Sequence, residues 1–265
     1  MLVTTVNVNG LRAAVRKGMG EWVAEANPDV LLLQEVRAPE ELVEDLVGPA
    51  YHVVRHASEL AGRAGVAIAL RKGLEVGRVS MGLSGDEPPV DTGRWLEVEV
   101  PELRTTFVSA YLHSGDAANK DKMAAKYAHL DAVSARLQVL LEDDSDVLVA
   151  GDFNIVHKPE DITNWKSNHN KTSGVLDDEI AYLDRWFGEF GLVDTQRKLT
   201  GDAQADYTWW SQRGKAFDNN TGWRIDYQMT STALADAATE FSIFRAPSYD
   251  TRWSDHAPLT IAYDR

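Results

Sequence analysis

Cysteine is absent from the 265 residues. That excludes disulfides, thiolate metal sites and a nucleophilic cysteine. A metal would have to be held by oxygen or by the seven histidines, and carboxylate and carbonyl ligands favour Mg, Mn or Ca. Long apolar runs are missing too, so nothing reads as a membrane span. The opening stretch MLVTTVNVNG has no basic segment ahead of an apolar one and reads as a strand, not a signal peptide. With cysteine absent as well, the expected location is a reducing cytoplasm of bacterial type. Positive charge is short: 27 Lys and Arg face 41 Asp and Glu, a formal net charge of −14. Such a balance steers a polyanion away, yet carboxylates that hold a divalent cation add to the count while reversing the field locally. There is no Gly-x-Ser-x-Gly and no P-loop, which points to direct attack by water over a covalent intermediate.

What is present is ordinary globular composition, 44% apolar and 26% charged. No linker, low-complexity tract or internal repeat divides residues 1–265, so one domain is expected. Apolar or β-rich runs recur at 2–8, 30–34, 66–70, 95–100, 105–112, 147–150, 224–229 and 259–263. Several lack alternation, as in strands covered on both faces. The segment NKDKMAAKYAHLDAVSARLQVLLED puts Met123, Tyr127, Leu130, Val133, Leu137 and Leu140 on one helical stripe. A second helix begins at LDDEIAYLDRWF, with Asp177 as its N-cap, and stops at Gly191. Irregular stretches fall at 81–93 and 157–174; the latter is long enough to suggest a functional loop. The class is α/β or α+β; periodicity does not choose between two packed sheets and one doubly wound sheet.

Uncommon polar residues stand at the strand ends. TTVNVNG offers Asn7 and Asn9, VLLLQEV offers Glu35, FVSAYLHSG offers Tyr111, His113 and Ser114, VLVAGDFN offers Asp152 and Asn154, GWRIDYQM offers Asp226, and RWSDHAPL adds Asp255 and His256. Any one alone is most simply a turn or cap residue. Their repetition at strand ends, where α/β folds place ligand sites, points to a site. Glu35, with Asn9, Asp226 or Asp255 nearby, supplies hard oxygens suited to Mg²⁺ beside a phosphate. Asp152 suits a role in activating water, and Asn7 and Asn154 are neutral donors. His256, if a carboxylate keeps it protonated, can stabilise charge on phosphorus.

These segments, NVNGLRA, LLLQEV, GRAGVAI, VLVAGDFNIV, GLVDT, GWRIDYQM and SDHAP in that order, resemble the exonuclease III group of AP endonucleases, within the endonuclease/exonuclease/phosphatase superfamily. The resemblance spans nearly the whole chain. It implies an α/β four-layer αββα sandwich, two mixed β-sheets packed together and flanked by helices. It implies a Mg²⁺- or Mn²⁺-dependent phosphodiesterase acting on duplex DNA, cutting 5′ to abasic sites and trimming 3′ ends, with no membrane and no obligate protein partner, as a monomer. Carried over by position, the catalytic set is Tyr111, Asp152, Asn154, Asp226 and His256. The metal set is Glu35, Asn7, Asp255 and Asn9. Substrate contacts are assigned to Trp209, Trp223, Asn168, Asn170, Lys171, Ser114 and Arg12. On a strand, Trp209 and Trp210 face opposite sides, one to the core and one to a pocket.

The chain departs from the resembled pattern after Tyr111-Leu112. His113-Ser114 stand where many members have Pro and then Asn or Gln, and His113 is either a second phosphate donor or a packed histidine. Basic groups near Arg12, at Lys120, Lys122 and Lys126, and at Lys166 and Lys171 are solvated surface or, if gathered on one face, a phosphate rim. Two other readings stay open: a phosphoesterase for a small phosphate ester or lipid head group, which the net charge favours, and a DNA-binding protein without catalysis.

Overall fold

The apolar runs without alternation become interior strands. In the computed structural model, which describes every residue except 85, 86, 202, 204 and 205, they form two six-stranded sheets. The strands are β1 (Leu2–Asn7), β2 (Val30–Gln34), β3 (Tyr51–His56), β4 (Val66–Arg71), β5 (Val79–Met81), β6 (Trp95–Val100), β7 (Thr105–Tyr111), β8 (Asp146–Asp152), β9 (Val193–Asp194), β10 (Asp226–Thr230), β11 (Ala238–Ile243) and β12 (Leu259–Tyr263). One sheet runs β11-β12-β1-β2-β4-β3 and the other β5-β6-β7-β8-β10-β9. Both are mixed: β1–β2 and β7–β8 are parallel, and their neighbours are antiparallel.

The sheets share a core. Val3, Val30, Leu32, Ile68 and Leu70 of the first pack with Leu96, Val98, Phe107, Leu148 and Ala150 of the second. Each fully buried aliphatic side chain contributes about 1.5–3 kcal/mol of transfer free energy. The outer faces are covered by helices: α1 (Leu11–Arg16), α2 (Met19–Ala26) and α3 (Glu40–Val47) on the first sheet, α4 (Lys120–Leu140) and, after the short α5 (Trp165–Asn168), α6 (Asp177–Gly188) on the second. Helices α7 (Thr195–Thr200) and α8 (Thr232–Asp236) complete the set among the described residues. This is the two-sheet sandwich, and it settles the choice that periodicity left open.

Polar pairs tie the sheets together beneath their ends. Gln34 Nε2 donates to Ser109 Oγ at 3.0 Å, and Ser109 Oγ donates to the Leu33 carbonyl at 3.0 Å. Gln228 Nε2 donates to the carbonyls of Val3 and Leu259 at 2.9 and 3.1 Å. Buried groups bonded this way fix the offset of one sheet on the other, because sliding would strand each of them unpaired.

Two local expectations are corrected. Asp177 is the first helical residue of α6, not its N-cap. The cap is Leu176, whose N–H donates to Glu179 Oε2 at 3.1 Å. The helix ends at Gly188, before Gly191. Of the irregular stretch at 81–93, residues 85 and 86 lie outside the described residues.

Candidate active site

Five strand ends converge on one rim. Asn7 closes β1 in register with Gln34, the last residue of β2, and Glu35 follows at once. From the other sheet Tyr111 ends β7, Asp152 ends β8 and Asp226 opens the antiparallel β10; Tyr111 pairs with Asp152, and Asp152 with Asp226. Directly opposed residues lie about 4.5–5.5 Å apart at Cα, so register alone forces two carboxylates together. Gly151 permits this: a Cβ there would stand 1.9 Å from the Ala110 carbonyl oxygen, at a φ of +147°. Asn9, Glu35 and Asn154 all adopt left-handed backbone, with φ of 46°, 50° and 52°. For Glu35 that conformation costs about 1–2 kcal/mol, the kind of strain that collects at functional sites.

His256 lies between the two aspartates. Its Nδ1 is 2.8 Å from Asp226 Oδ2 and its Nε2 3.7 Å from Asp152 Oδ2. Burial opposes a charge on the ring, but Asp226 and then Asp152 outweigh it and raise the imidazolium to about 10. Asp152 is pushed up to about 7 by burial; His256 pulls it down, Asp226 pushes it further up, and hydrogen bonds from Asn7 and the Asn154 N–H restrain it. The backbone N–H groups of Ile225 and Asp226 both donate to Thr208 Oγ1, at 3.2 and 3.1 Å, which pins the start of β10. Ser254 Oγ donates to the Asn7 carbonyl at 2.7 Å and accepts from the His256 N–H at 3.2 Å, tying the C-terminal turn to β1.

The two leading amides do something other than present oxygens to a metal. Asn7 Nδ2 donates to Glu35 Oε1 at 2.8 Å and to Asp152 Oδ2 at 2.9 Å, while its Oδ1 accepts from the Asn9 N–H at 3.0 Å. Asn9 Nδ2 donates to Asp255 Oδ1 at 2.9 Å and its Oδ1 accepts from the Arg37 guanidinium at 2.9 Å. Both amides orient carboxylates: Asn7 holds Glu35 and Asp152, and Asn9 holds Asp255. Of the carboxylates these amides hold, Glu35 and Asp255 are the two outside the histidine pair. Both line the cleft. Glu35 Oε2 is buried and receives no hydrogen bond, its partner being the charge of the Arg37 guanidinium. Burial would raise Asp255, but His256, Asn9, its own backbone and Trp209 hold it below the usual carboxylate range. Two carboxylates at one cleft, one with a buried oxygen that receives no hydrogen bond, offer the hard oxygen donors that a divalent cation takes.

The cleft measures about 600 Å³ and is lined by Glu35, Tyr111, Ser114, Asp152, Asn154, Lys171, Trp209, Trp223, Asp255 and His256. Asn7 and Asp226 lie beneath its floor, fully buried. The Arg94 guanidinium sits 4.7 Å over the Tyr111 ring. Burial and then Asp152 raise the Tyr111 phenol despite that guanidinium, so it is a donor at neutral pH. Trp209 and Trp223 meet edge to face, centroids 5.4 Å apart, and Trp209 Nε1 is 3.3 Å from Asp255 Oδ2. Trp209 makes isolated bridges to Trp223 and His256 outside any strand, and Trp210 packs into a buried cluster with Tyr207, Phe217 and Ala257.

Three expected substrate contacts do not line this cleft. Arg12 lines a neighbouring hollow with Gly10, Ala13, Arg16 and Arg37. Asn168 Nδ2 donates to the Asn164 carbonyl at 2.8 Å, and Asn170 Nδ2 to Asp177 Oδ2 at 2.7 Å, so both amides brace their own loop. Lys126 is no part of a basic rim either. It is wholly buried, 2.7 Å from Glu179 Oε1, and its Nζ donates to the carbonyls of Ser114 and Asn154 at 3.3 and 3.0 Å. His113 is packed, its Nε2 2.5 Å from Asp91 Oδ1. Sequence reasoning missed Arg37, Arg94 and the buried Arg224, which bonds Asp161 and Asp194 through its Nε, Nη1 and Nη2 at 2.6–3.0 Å. That cluster locks the 157–174 loop to the strand entering Asp226. Its one signal was an arginine two residues before an expected catalytic aspartate.

Comparison with known proteins agrees with this geometry. The profile of the Endonuclease/Exonuclease/phosphatase family matches residues 4–256. An exodeoxyribonuclease of Bacillus subtilis is 30% identical over 262 residues, covering 98% of each chain. A solved AP endonuclease from Archaeoglobus fulgidus superposes with a TM-score of 0.86 at 27% identity, covering 100% of both chains. A solved 3′ phosphatase from Neisseria bound to a product DNA hairpin gives 0.87 at 26% identity, again over 100% of both.

Proposed function

The chain belongs to the endonuclease/exonuclease/phosphatase family, and within it we propose a divalent-metal-dependent DNA-repair phosphodiesterase that hydrolyses the backbone 5′ to abasic sites and trims 3′ ends. The observation that carries this reading is the pairing of the Asp152–His256–Asp226 constellation with two tryptophans in one cleft. The relatives named above act, by name, on DNA ends or AP sites. We read residues 1–265 as one functional unit, since the site draws on both sheets.

The chemistry follows from the charges. Asp152, ionised above about pH 7, takes a proton from the attacking water; Asn7 and the Asn154 N–H aim its carboxylate. His256 stays protonated and donates from Nε2 toward the developing charge on phosphorus, with Asp226 holding Nδ1. The Tyr111 phenol, Asn154 and Lys171 line the same space and bind phosphate oxygens. Glu35 and Asp255 would hold the metal, Mg²⁺ or Mn²⁺, which would supply Lewis-acid polarisation of a phosphoryl oxygen. Trp209 and Trp223 wall the pocket for an extruded sugar that lacks its base, and their bulk leaves little room for an intact nucleotide. The protein acts as a monomer in the cytoplasm, with duplex DNA as its partner.

Product analysis tests this directly. Incision should leave a 3′-hydroxyl on one fragment and the phosphate on the abasic sugar, with inversion at a chiral phosphorothioate. Retention at phosphorus would mean a covalent intermediate and would overturn the role given to Asp152.

A further inference from the structure

Helix α4 carries a histidine with no hydrogen bond. His129 lies on the buried stripe, 4% exposed. Its Nε2 is buried without a partner, and its Nδ1 is 4.0 Å from Asp91 Oδ1, beyond hydrogen-bond reach. With the ring proton on Nε2, the Nδ1 lone pair faces Asp91 and meets no donor, so a cation is a partner it can take. The other polar groups on this stripe are satisfied: Ser134 Oγ donates to the Leu130 carbonyl at 2.8 Å, and Lys126 is paired with Glu179. The His129 ring meets the His113 ring edge-on, centroids 4.9 Å apart, and His113 Nε2 is 2.5 Å from the same Asp91 oxygen.

We propose that Asp91, His113 and His129 form a second cation site, distinct from Glu35 and Asp255, that takes a borderline divalent ion of the Zn²⁺ or Co²⁺ class. One ligand atom from each of the three lies within 4.8 Å of the others. Zinc bonds of about 2.0–2.2 Å in a tetrahedral arrangement set ligand atoms roughly 3.4 Å apart. The short His113–Asp91 contact opens, and the long His129–Asp91 contact closes, by less than about an ångström to reach that spacing. Two imidazoles and one carboxylate leave a fourth position for water, and they suit zinc or cobalt over magnesium, which prefers oxygen throughout. Arg94 and Lys126 both act on His113 and repel a cation, so the ion is held by its ligand bonds and not by the local field. Access exists from outside: the Asp91 side chain is 21% exposed.

The site would clip three elements that bear on catalysis. Asp91 precedes Arg94 by three residues, His113 follows Tyr111 by two, and His129 belongs to the helix whose Lys126 holds the Ser114 and Asn154 carbonyls. His113, at the point where the chain departs from the resembled pattern, would gain a ligand role beyond its bond to Asp91.

The test uses the whole chain, stripped of metal, refilled with millimolar Mg²⁺ and equilibrated against zinc. Bound zinc is measured by elemental analysis, and cobalt in its place is followed by visible absorption. Wild type should keep about one zinc per chain against Mg²⁺, and Glu35→Gln should keep it too. Asp91→Asn, a mild change in a loop, and His129→Leu should each weaken zinc binding at least tenfold. If His129→Leu fails to fold, Asp91→Asn decides. Folded wild type that retains no zinc, loss of zinc in Glu35→Gln, or undiminished binding in Asp91→Asn would each overturn the proposal.

Discussion

Asp152 and Asp226 stand directly opposite one another across the antiparallel β8–β10 pair, and His256 bridges their carboxylates. Two buried acids at that separation cannot both keep a charge without a cation between them. The imidazolium is that cation: the two carboxylates hold His256 protonated, while burial pushes Asp152 up to about 7.

The first consequence is a bell-shaped pH profile for DNA cleavage. Asp152 must lose its proton to act as a base, so the rate rises through about pH 7. His256 must keep its proton, so the rate falls through about pH 10. These limbs belong to the coupled group as a whole. Single-turnover rates from pH 5 to 11 measure both, and a profile flat between 6 and 8 would contradict the role of Asp152.

Asp226→Asn removes the largest attraction that keeps His256 charged against burial. The alkaline limb should move several tenths of a unit or more toward neutrality, and the plateau rate should fall about 10²-fold or more. An unmoved limb would show that Asp226 is structural only.

Asn7→Ala deprives Glu35 and Asp152 of a shared donor. Hydrogen bonds to charged groups are worth about 1.5–3 kcal/mol each. The expected result is a fall in kcat of about 10²-fold with weaker metal activation, while circular dichroism stays that of wild type. Unchanged metal dependence would place Asn7 outside the site's charge balance.

Lys126 and Glu179 form an ion pair with both side chains fully buried. Removing the lysine leaves Glu179 a buried charge without its counter-ion, held only by hydrogen bonds from its own loop, at a cost of about 3–5 kcal/mol. Lys126→Met should lower stability by that amount in urea titration, and adding Glu179→Leu should recover part of it. Loss of less than about 1 kcal/mol in Lys126→Met would mean that Glu179 is satisfied by its loop alone.

Legibility divided along physical lines. Eight strands were foreseen, and the four missed, β3, β5, β9 and β11, are the four sheet edges. β5 and β9 are only three and two residues long, and β3 and β11 carry exposed positions within the run, so none shows the unbroken apolar stretch that marks an interior strand. Glu35, Asp152, Asp226, Asp255 and His256, which the structure gathers at one cleft and its floor, stood out in the sequence because polar residues at strand ends contrast with an apolar background. Arg94, Arg37 and the Asp161–Arg224–Asp194 cluster were not, since an arginine's burial depends on partners far away in sequence. Lys126 misled for the same reason: near the start of a helix a lysine reads as surface, and its burial depends on Glu179, more than fifty residues on, and on the Ser114 and Asn154 carbonyls. Asn168 and Asn170 were assigned to substrate by their place in a long loop, but the loop uses them to close itself.

The central claim is that one rim gathers these groups around a DNA backbone and a divalent cation. The most direct measurement offers three substrates, each with Mg²⁺ and with EDTA: a duplex with a single abasic analogue, a duplex with a recessed 3′ end, and an inositol phosphate. Cleavage of both duplexes, abolished by EDTA and by Asp152→Asn with the fold intact, is the predicted result. Hydrolysis of the inositol phosphate alone, or duplex cleavage that survives EDTA, would contradict the account.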